Sequence, residues 1–213
     1  MARISVFGGT GYAGSHIARE AARRGHQVTS ISRTLPDEQT DGVNYVQGSL
    51  LDPTDRTKAL DGADVVVVAA APRGDMAETL RGGIAALAVE AAEAGVRLGA
   101  IGGAGALQVT EGGPRLFDGE DFPAEYKPES LTMLAVLEDL QATEGLDWFY
   151  VRPPAMFGVF NPGEARGTYR VGGQVLLSDE HGVSDIGGAD FGAAIVDEIE
   201  TPAHRRTPFT VAY

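Results

Sequence analysis

The chain has 213 residues, no cysteine and a formal net charge of -13, with a pI ≈ 4.6. That length suits one α/β domain with its own core. The absence of cysteine excludes disulfide scaffolding, thiolate nucleophiles and cysteine–zinc sites. The acidic balance opposes nucleic-acid binding, which needs a basic stripe to neutralise phosphate. The apolar run that starts at Ile4 is too short for a signal-peptide core, and Val65 to Ala71 falls far short of the roughly 18 residues that argue for a membrane span. A soluble, cytoplasmic protein without membrane or nucleic-acid partners is expected, as a monomer or homodimer.

Strand-like and helix-like segments alternate through the first half, the pattern of βαβ units and a parallel sheet with helices on both faces. Arg3 to Phe7 reads as a strand, Tyr12 to Arg24 as a helix with Ala13, Ile17, Ala18, Ala21 and Ala22 at helical spacing, and Gln27 to Ser32 as the second strand. Val43 to Gln47 follows as a strand. Asp52 and Pro53 then mark the start of a short helix that ends near Leu60. Asp64 to Ala70 carries a continuous β-branched run from Val65, as expected of a central parallel strand buried on both faces. Ala77 to Ala94 reads as a helix, Val96 to Ile101 as a strand, Pro128 to Thr143 as a helix, and Asp147 to Arg152 as a strand ending in Pro153-Pro154. The remainder holds strand-like pieces around Tyr169 and Val175, a helix from Ala189 to Ile199 and a last strand from Pro208 to Ala212. The expected fold is α/β, a doubly wound parallel sheet formed by one domain over residues 1–213. Residues from about 153 onward would contribute a small C-terminal lobe on the substrate side.

Between the first strand and the first helix lies Gly8-Gly9-Thr10-Gly11-Tyr12-Ala13-Gly14. In that setting Gly8 allows a tight turn, Gly11 lets backbone approach a pyrophosphate, and Gly14 lets helix and strand pack closely. The helix start then offers free N–H groups and a positive dipole end to phosphate. This is the arrangement of a Rossmann-type dinucleotide site. The second strand ends in Ser32-Arg33 rather than in Asp or Glu, which places a guanidinium where it can pair with the 2′-phosphate of NADP. NADP(H) is therefore the expected cofactor. Arg73 and Asp75 lie just past the fourth strand, in reach of substrate, with Arg73 a candidate phosphate contact and a solvated loop the alternative reading.

With glycines at 8, 11 and 14, the sequence resembles the atypical short-chain dehydrogenase/reductase superfamily nearly end to end. Within it the chain is most similar to bacterial NAD(P)H-flavin reductase-like proteins and, more distantly, to biliverdin IXβ reductase. The segments that carry the likeness are Arg33, Gly48 to Asp52, Ala69 to Arg73, Gly102 to Gly105, Val151 to Met156 and the closing Phe209 to Tyr213. The resemblance implies that Ser49 and Leu50 border the adenine and that Ala69, Ala70 and Ala71 line the diphosphate and ribose. It also implies that Pro154, Ala155 and Met156 border the nicotinamide.

Most short-chain dehydrogenases place a Tyr four residues before a Lys, which lowers the phenol's pKa for proton transfer. Here Thr54 stands four residues before Lys58 and Pro123 four before Lys127, while Tyr126 and Lys127 are adjacent. Gly102 to Ala106 offer no hydroxyl after the fifth strand, and Ala155 occupies the place of a His found in the biliverdin-reductase-like relatives. No residue is assigned as catalytic, and none is assigned to a metal. Hydride transfer needs orientation and water exclusion more than a protein acid. The expected activity is reduction of a flavin such as FMN or riboflavin, a quinone or a similar small acceptor. Phe117, Phe122, Phe157, Phe160 and Tyr169 are candidate stacking residues. The alternative is a non-catalytic NADP(H)-binding sensor.

Overall fold

Four consecutive valines divide their side chains between two cores. In the computed structural model, which describes residues 1–213, Val65 and Val67 pack with Ile17, Ala18 and Phe191 on one face of a central sheet. Val66 and Val68 pack with Leu80, Ile84 and Leu98 on the other face. Trp148 and Tyr150 alternate with Phe149 and Val151 in the same way. A strand with apolar residues on both sides can only be central, and helices must cover both faces.

The strands are β1 (Arg3–Phe7), β2 (Gln27–Ser32), β3 (Val43–Gln47), β4 (Val65–Val68), β5 (Arg97–Ile101), β6 (Trp148–Arg152), β7 (Arg170–Gly172) and β8 (Thr207–Ala212). Their spatial order is β3-β2-β1-β4-β5-β6-β8-β7. Every pairing is parallel except that of β7 with β8. The helices are α1 (Tyr12–Arg23), α2 (Pro53–Leu60), α3 (Leu80–Ala94), α4 (Lys127–Ala142) and α5 (Gly188–Glu200). α1 and α5 supply the core on one face, and α2, α3 and α4 the core on the other. This is the expected doubly wound α/β sheet. Asp52 caps α2, accepting from Thr54 N at 2.8 Å, with Pro53 at the first helical position.

Some boundaries differ from the sequence reading for local reasons. β4 stops at Val68: Ala69 N still donates to Phe7 O at 2.8 Å, and then the chain turns out of the ladder over β1. α3 starts at Leu80 because Gly74–Met76 first form a 3-10 turn. The strand near Tyr169 is β7, whereas Val175 makes a single bridge to Gln108. Beyond residue 153 the chain supplies β7, α5 and β8, extending the sheet past β6. No helix is long and apolar enough to cross a membrane.

Candidate functional site

β1 lies between β2 and β4, with Val6 opposite Ser30 on one side and Val67 on the other. The connections from these strands leave to opposite sides, so a crevice opens above the carboxyl end of β1, where ligands bind in open parallel sheets. The glycine turn fills the floor of that crevice. Gly8 has φ 77°, donates to Ile31 O at 2.9 Å, and would carry a Cβ only 2.6 Å from Ala69 O. A Cβ on Gly14 would stand 2.2 Å from Gly8 O, so α1 can begin this close to the turn only without a side chain there. Gly11 N closes the turn on Gly8 O at 3.0 Å, and Thr10 N donates to Ser32 Oγ at 3.2 Å.

The next three N–H groups, of Tyr12, Ala13 and Gly14, find no acceptor in the chain, and the first turn of α1 holds no acidic residue. Free donors and a positive helix end with no internal counter-charge form a cradle for an anion. A diphosphate matches it in sign, and a side chain at position 8 or 14 would collide with the backbone that shapes it.

Arg33 leaves the end of β2 and pairs with Asp75 in the turn after β4, while its carbonyl accepts from Gln47 Nε2 at 3.0 Å. Arg33 and Asp75 are both exposed, and the guanidinium holds the Asp75 carboxyl below the usual aspartate range. Ser49 lies in the turn after β3, its N–H donating to Asp55 and its Oγ accepting from Leu51 N. Leu50 is buried in the core, and its carbonyl accepts from Arg56. Ala69 and Ala70 are partly buried, Ala71 is exposed, and Ala69 O lies against Gly8. Arg73 turns to α4 instead, making a two-pronged pair with Glu129 at 2.6 and 3.0 Å.

At the ends of β5 and β6 the backbone is crowded. Tyr150 donates its hydroxyl to Met133 O at 2.8 Å, and that hydroxyl lies where a Cβ of Gly102 would be. Pro154 is buried, whereas Ala155 and Met156 are exposed and held by Ser184 through their N–H groups. Tyr12 Oη donates to Pro162 O at 2.6 Å, so the segment after Met156 is tied to the first turn of α1. Phe157 packs edge-on to Tyr12 and against Phe191, Phe117 is buried, Phe122 lies over Gly105, and Phe160 is exposed. Tyr169 donates to Asp197 on α5 and belongs to that packing. Lys127 Nζ lies over the Phe117 ring at 5.9 Å, and Tyr126 lies beside Arg73.

One group was visible in the sequence only as part of a family segment. Arg152, the last residue of β6, is 4% exposed and its Nε and Nη2 have no hydrogen-bond partner. Burial holds its guanidinium below the usual arginine range; the Tyr150 hydroxyl acts against that shift and the charge of Arg115 acts with it. The signal was there: Trp148, Tyr150 and Arg152 share one face of a strand at a period of two, so the arginine falls on a buried face.

The model of the NAD(P)H-binding family matches residues 8–202, which include the glycine turn and nearly all of the sheet. The YwnB protein of Bacillus subtilis is 33% identical over 210 residues, covering 98% of this chain and 97% of the relative. A solved structure from Burkholderia pseudomallei, provisionally named an exported protein, is 40% identical, covers 100% of both chains and superposes with a TM-score of 0.87. A Streptococcus pneumoniae structure, provisionally named an NADH-flavin reductase, is 29% identical over 100% of this chain and 99% of its own, with a TM-score of 0.81. With its glycine cradle at the switch point of a doubly wound sheet and this end-to-end likeness, the chain belongs to the NAD(P)H-binding family, in the fold of the atypical short-chain dehydrogenase/reductases.

Proposed function

We propose that the protein is an NADPH-dependent oxidoreductase that delivers hydride to a flavin, quinone or similar small acceptor. The observation that carries this reading is the cradle itself: three unpaired N–H groups at the start of α1 above glycines that leave no room for side chains. Gly8, Thr10, Gly11, Tyr12, Ala13 and Gly14 would hold the diphosphate and Arg33 the 2′-phosphate. Ser49 and Leu50 would border the adenine, Ala69, Ala70 and Ala71 the ribose, and Pro154, Ala155 and Met156 the nicotinamide. Arg73, paired with Glu129, would reach a phosphate only by exchanging that partner.

When bound, NADPH supplies a hydride and water supplies a proton, so that NADPH, H⁺ and an oxidised acceptor give NADP⁺ and the acceptor reduced by two electrons. The chain's part is to bind, orient and exclude water. Residues 1–213 act in this reading as one domain, with the part after residue 153 forming the acceptor side and the Tyr12–Pro162 bond holding it to the cofactor helix. The Streptococcus pneumoniae relative's name points to the same acceptor class. The lack of a hydroxyl or imidazole in Gly102 to Ala106 and at Ala155 equally suits a second reading, a non-catalytic NADP(H) sensor.

Purified protein is to be mixed with NADPH and, in turn, FMN, riboflavin and simple quinones, following loss of NADPH absorbance. Turnover above the free-solution rate with at least one acceptor supports the reductase. Tight NADPH binding with no turnover on any of them sinks the reductase and leaves the sensor.

A further inference from the structure

Most arginines of this acidic chain face a carboxylate, as Arg24, Arg56, Arg81 and Arg97 do. Arg152 does not, although it is almost wholly enclosed. An unpaired buried charge is among the most costly arrangements in a protein interior, because the water it loses is replaced by nothing. One neighbour, Tyr150, is a phenol whose hydroxyl is bonded to Met133 O, and another adds a cation. β6 is bonded to the end of β5 through Gly102 N and Val151 O at 2.8 Å, and the chain after β5 folds back with Leu116 N donating to Leu107 O at 2.8 Å. Arg115 stands in that returning segment, near enough for its charge to act on Arg152. The Arg115 guanidinium lies over the Phe117 ring at 5.7 Å, and Lys127 approaches the same ring. The nearest acidic residue in sequence, Asp118, spends a carboxylate oxygen on the Arg115 backbone N–H at 3.3 Å.

We propose that Arg152, with Arg115 as a second cation, is an anion-binding subsite for the acceptor, taking a phosphate or carboxylate that the acceptor carries. The assignment rests on the reading of the protein as a reductase of small acceptors, since Arg152 stands two residues before Pro154 at the nicotinamide end. The two guanidinium groups supply planar paired donors suited to either anion. They would orient the acceptor by its charged end and leave its reducible ring toward the cofactor.

The test is binding to the protein–NADP⁺ complex, read by fluorescence quenching. It compares FMN with riboflavin, which lacks the phosphate, and a naphthoquinone carboxylate with the plain naphthoquinone. The anionic member of a pair should bind about tenfold more tightly. A preference in the flavin pair alone assigns phosphate, in the quinone pair alone carboxylate, and in both any acceptor anion. Arg115→Gln, a change at an exposed position, and Arg152→Met should each bring the ratio near one, while Arg152→Lys keeps part of it. Equal affinities within both pairs, no binding of any of the four, or a preference unmoved in Arg115→Gln and in folded Arg152→Met overturns the assignment. Because binding is read without turnover, an anion preference with no NADPH consumption removes the reductase reading and keeps the subsite.

Discussion

The guanidinium of Arg33 and the carboxylate of Asp75 meet across the end of β1, joining the residue after β2 to the turn after β4 above the glycine cradle. Both are exposed, so the pair contributes little to folding in water. In the proposed NADPH site, Asp75 stands where a 2′-phosphate would pair with Arg33. Removing the carboxylate frees Arg33 and removes a like charge from the approaching phosphate. Asp75→Asn is therefore expected to tighten NADPH by about two- to fivefold and NADH less. Arg33→Ala should weaken NADPH about tenfold and erase most of its advantage over NADH. Fluorescence titration of both nucleotides reads these constants; an Arg33→Ala protein with the wild-type NADPH/NADH ratio would remove Arg33 from the site.

Two glycines in helices make opposite predictions from the same substitution. A Cβ at Gly14 would stand 2.2 Å from Gly8 O, and backbone cannot yield as a flexible side chain does. Gly14→Ala must push α1 away from the turn, costing about 1–3 kcal/mol and weakening NADPH by at least about tenfold. A Cβ at Gly82 in α3 would meet nothing within 4 Å, and the residue lies in a helical conformation. Gly82→Ala should stabilise the protein by about 0.5–1 kcal/mol, because alanine loses less backbone freedom on folding. Urea denaturation of both variants checks the pair; equal and small effects would mean that the crowding at Gly14 is relieved by local shifts.

The layers of the fold were legible because β4 and β6 state them directly: Val65 to Val68 and Trp148 to Val151 are apolar at every position, which only a strand covered on both faces tolerates. The tight glycine turn was legible for a related reason, since Gly8 and Gly14 are demanded by local geometry between adjacent elements. The pairing of Arg33 with Asp75 and of Arg73 with Glu129 was not, because each joins residues far apart in the chain whose meeting depends on loop conformation. Tyr12 to Pro162 is the same case at a longer range. Arg152 was legible only in part. Strand period places it on a buried face, but nothing in the sequence says that no carboxylate follows it there.

Acid should loosen the contact between α1 and α5. Arg24 Nε bonds Glu20 at 2.7 Å, and its Nη1 bonds Asp197 and Glu200, each at 2.6 Å, across to α5. Arg23 grips both oxygens of Glu20, and its hydrogen bonds, with that of Arg24, hold the Glu20 carboxyl at about 2 against an ordinary 4.5. At Glu198, burial alone would raise the carboxyl, yet hydrogen bonds from Arg97 and His204 outweigh it and hold that group below the usual glutamate range as well. A carboxyl depressed on folding contributes stability that is complete above its unfolded value and is lost as pH falls through its folded one. The urea midpoint should therefore stay level from neutral pH down to about 5 and fall steadily toward about 2. Glu20→Gln should lower stability at neutral pH by about 1–2 kcal/mol and flatten the descent between 4.5 and about 2, since one of the groups that must be protonated is gone. Parallel acid limbs for Glu20→Gln and wild type would place the acid sensitivity elsewhere, with Glu198 the next carboxylate to replace.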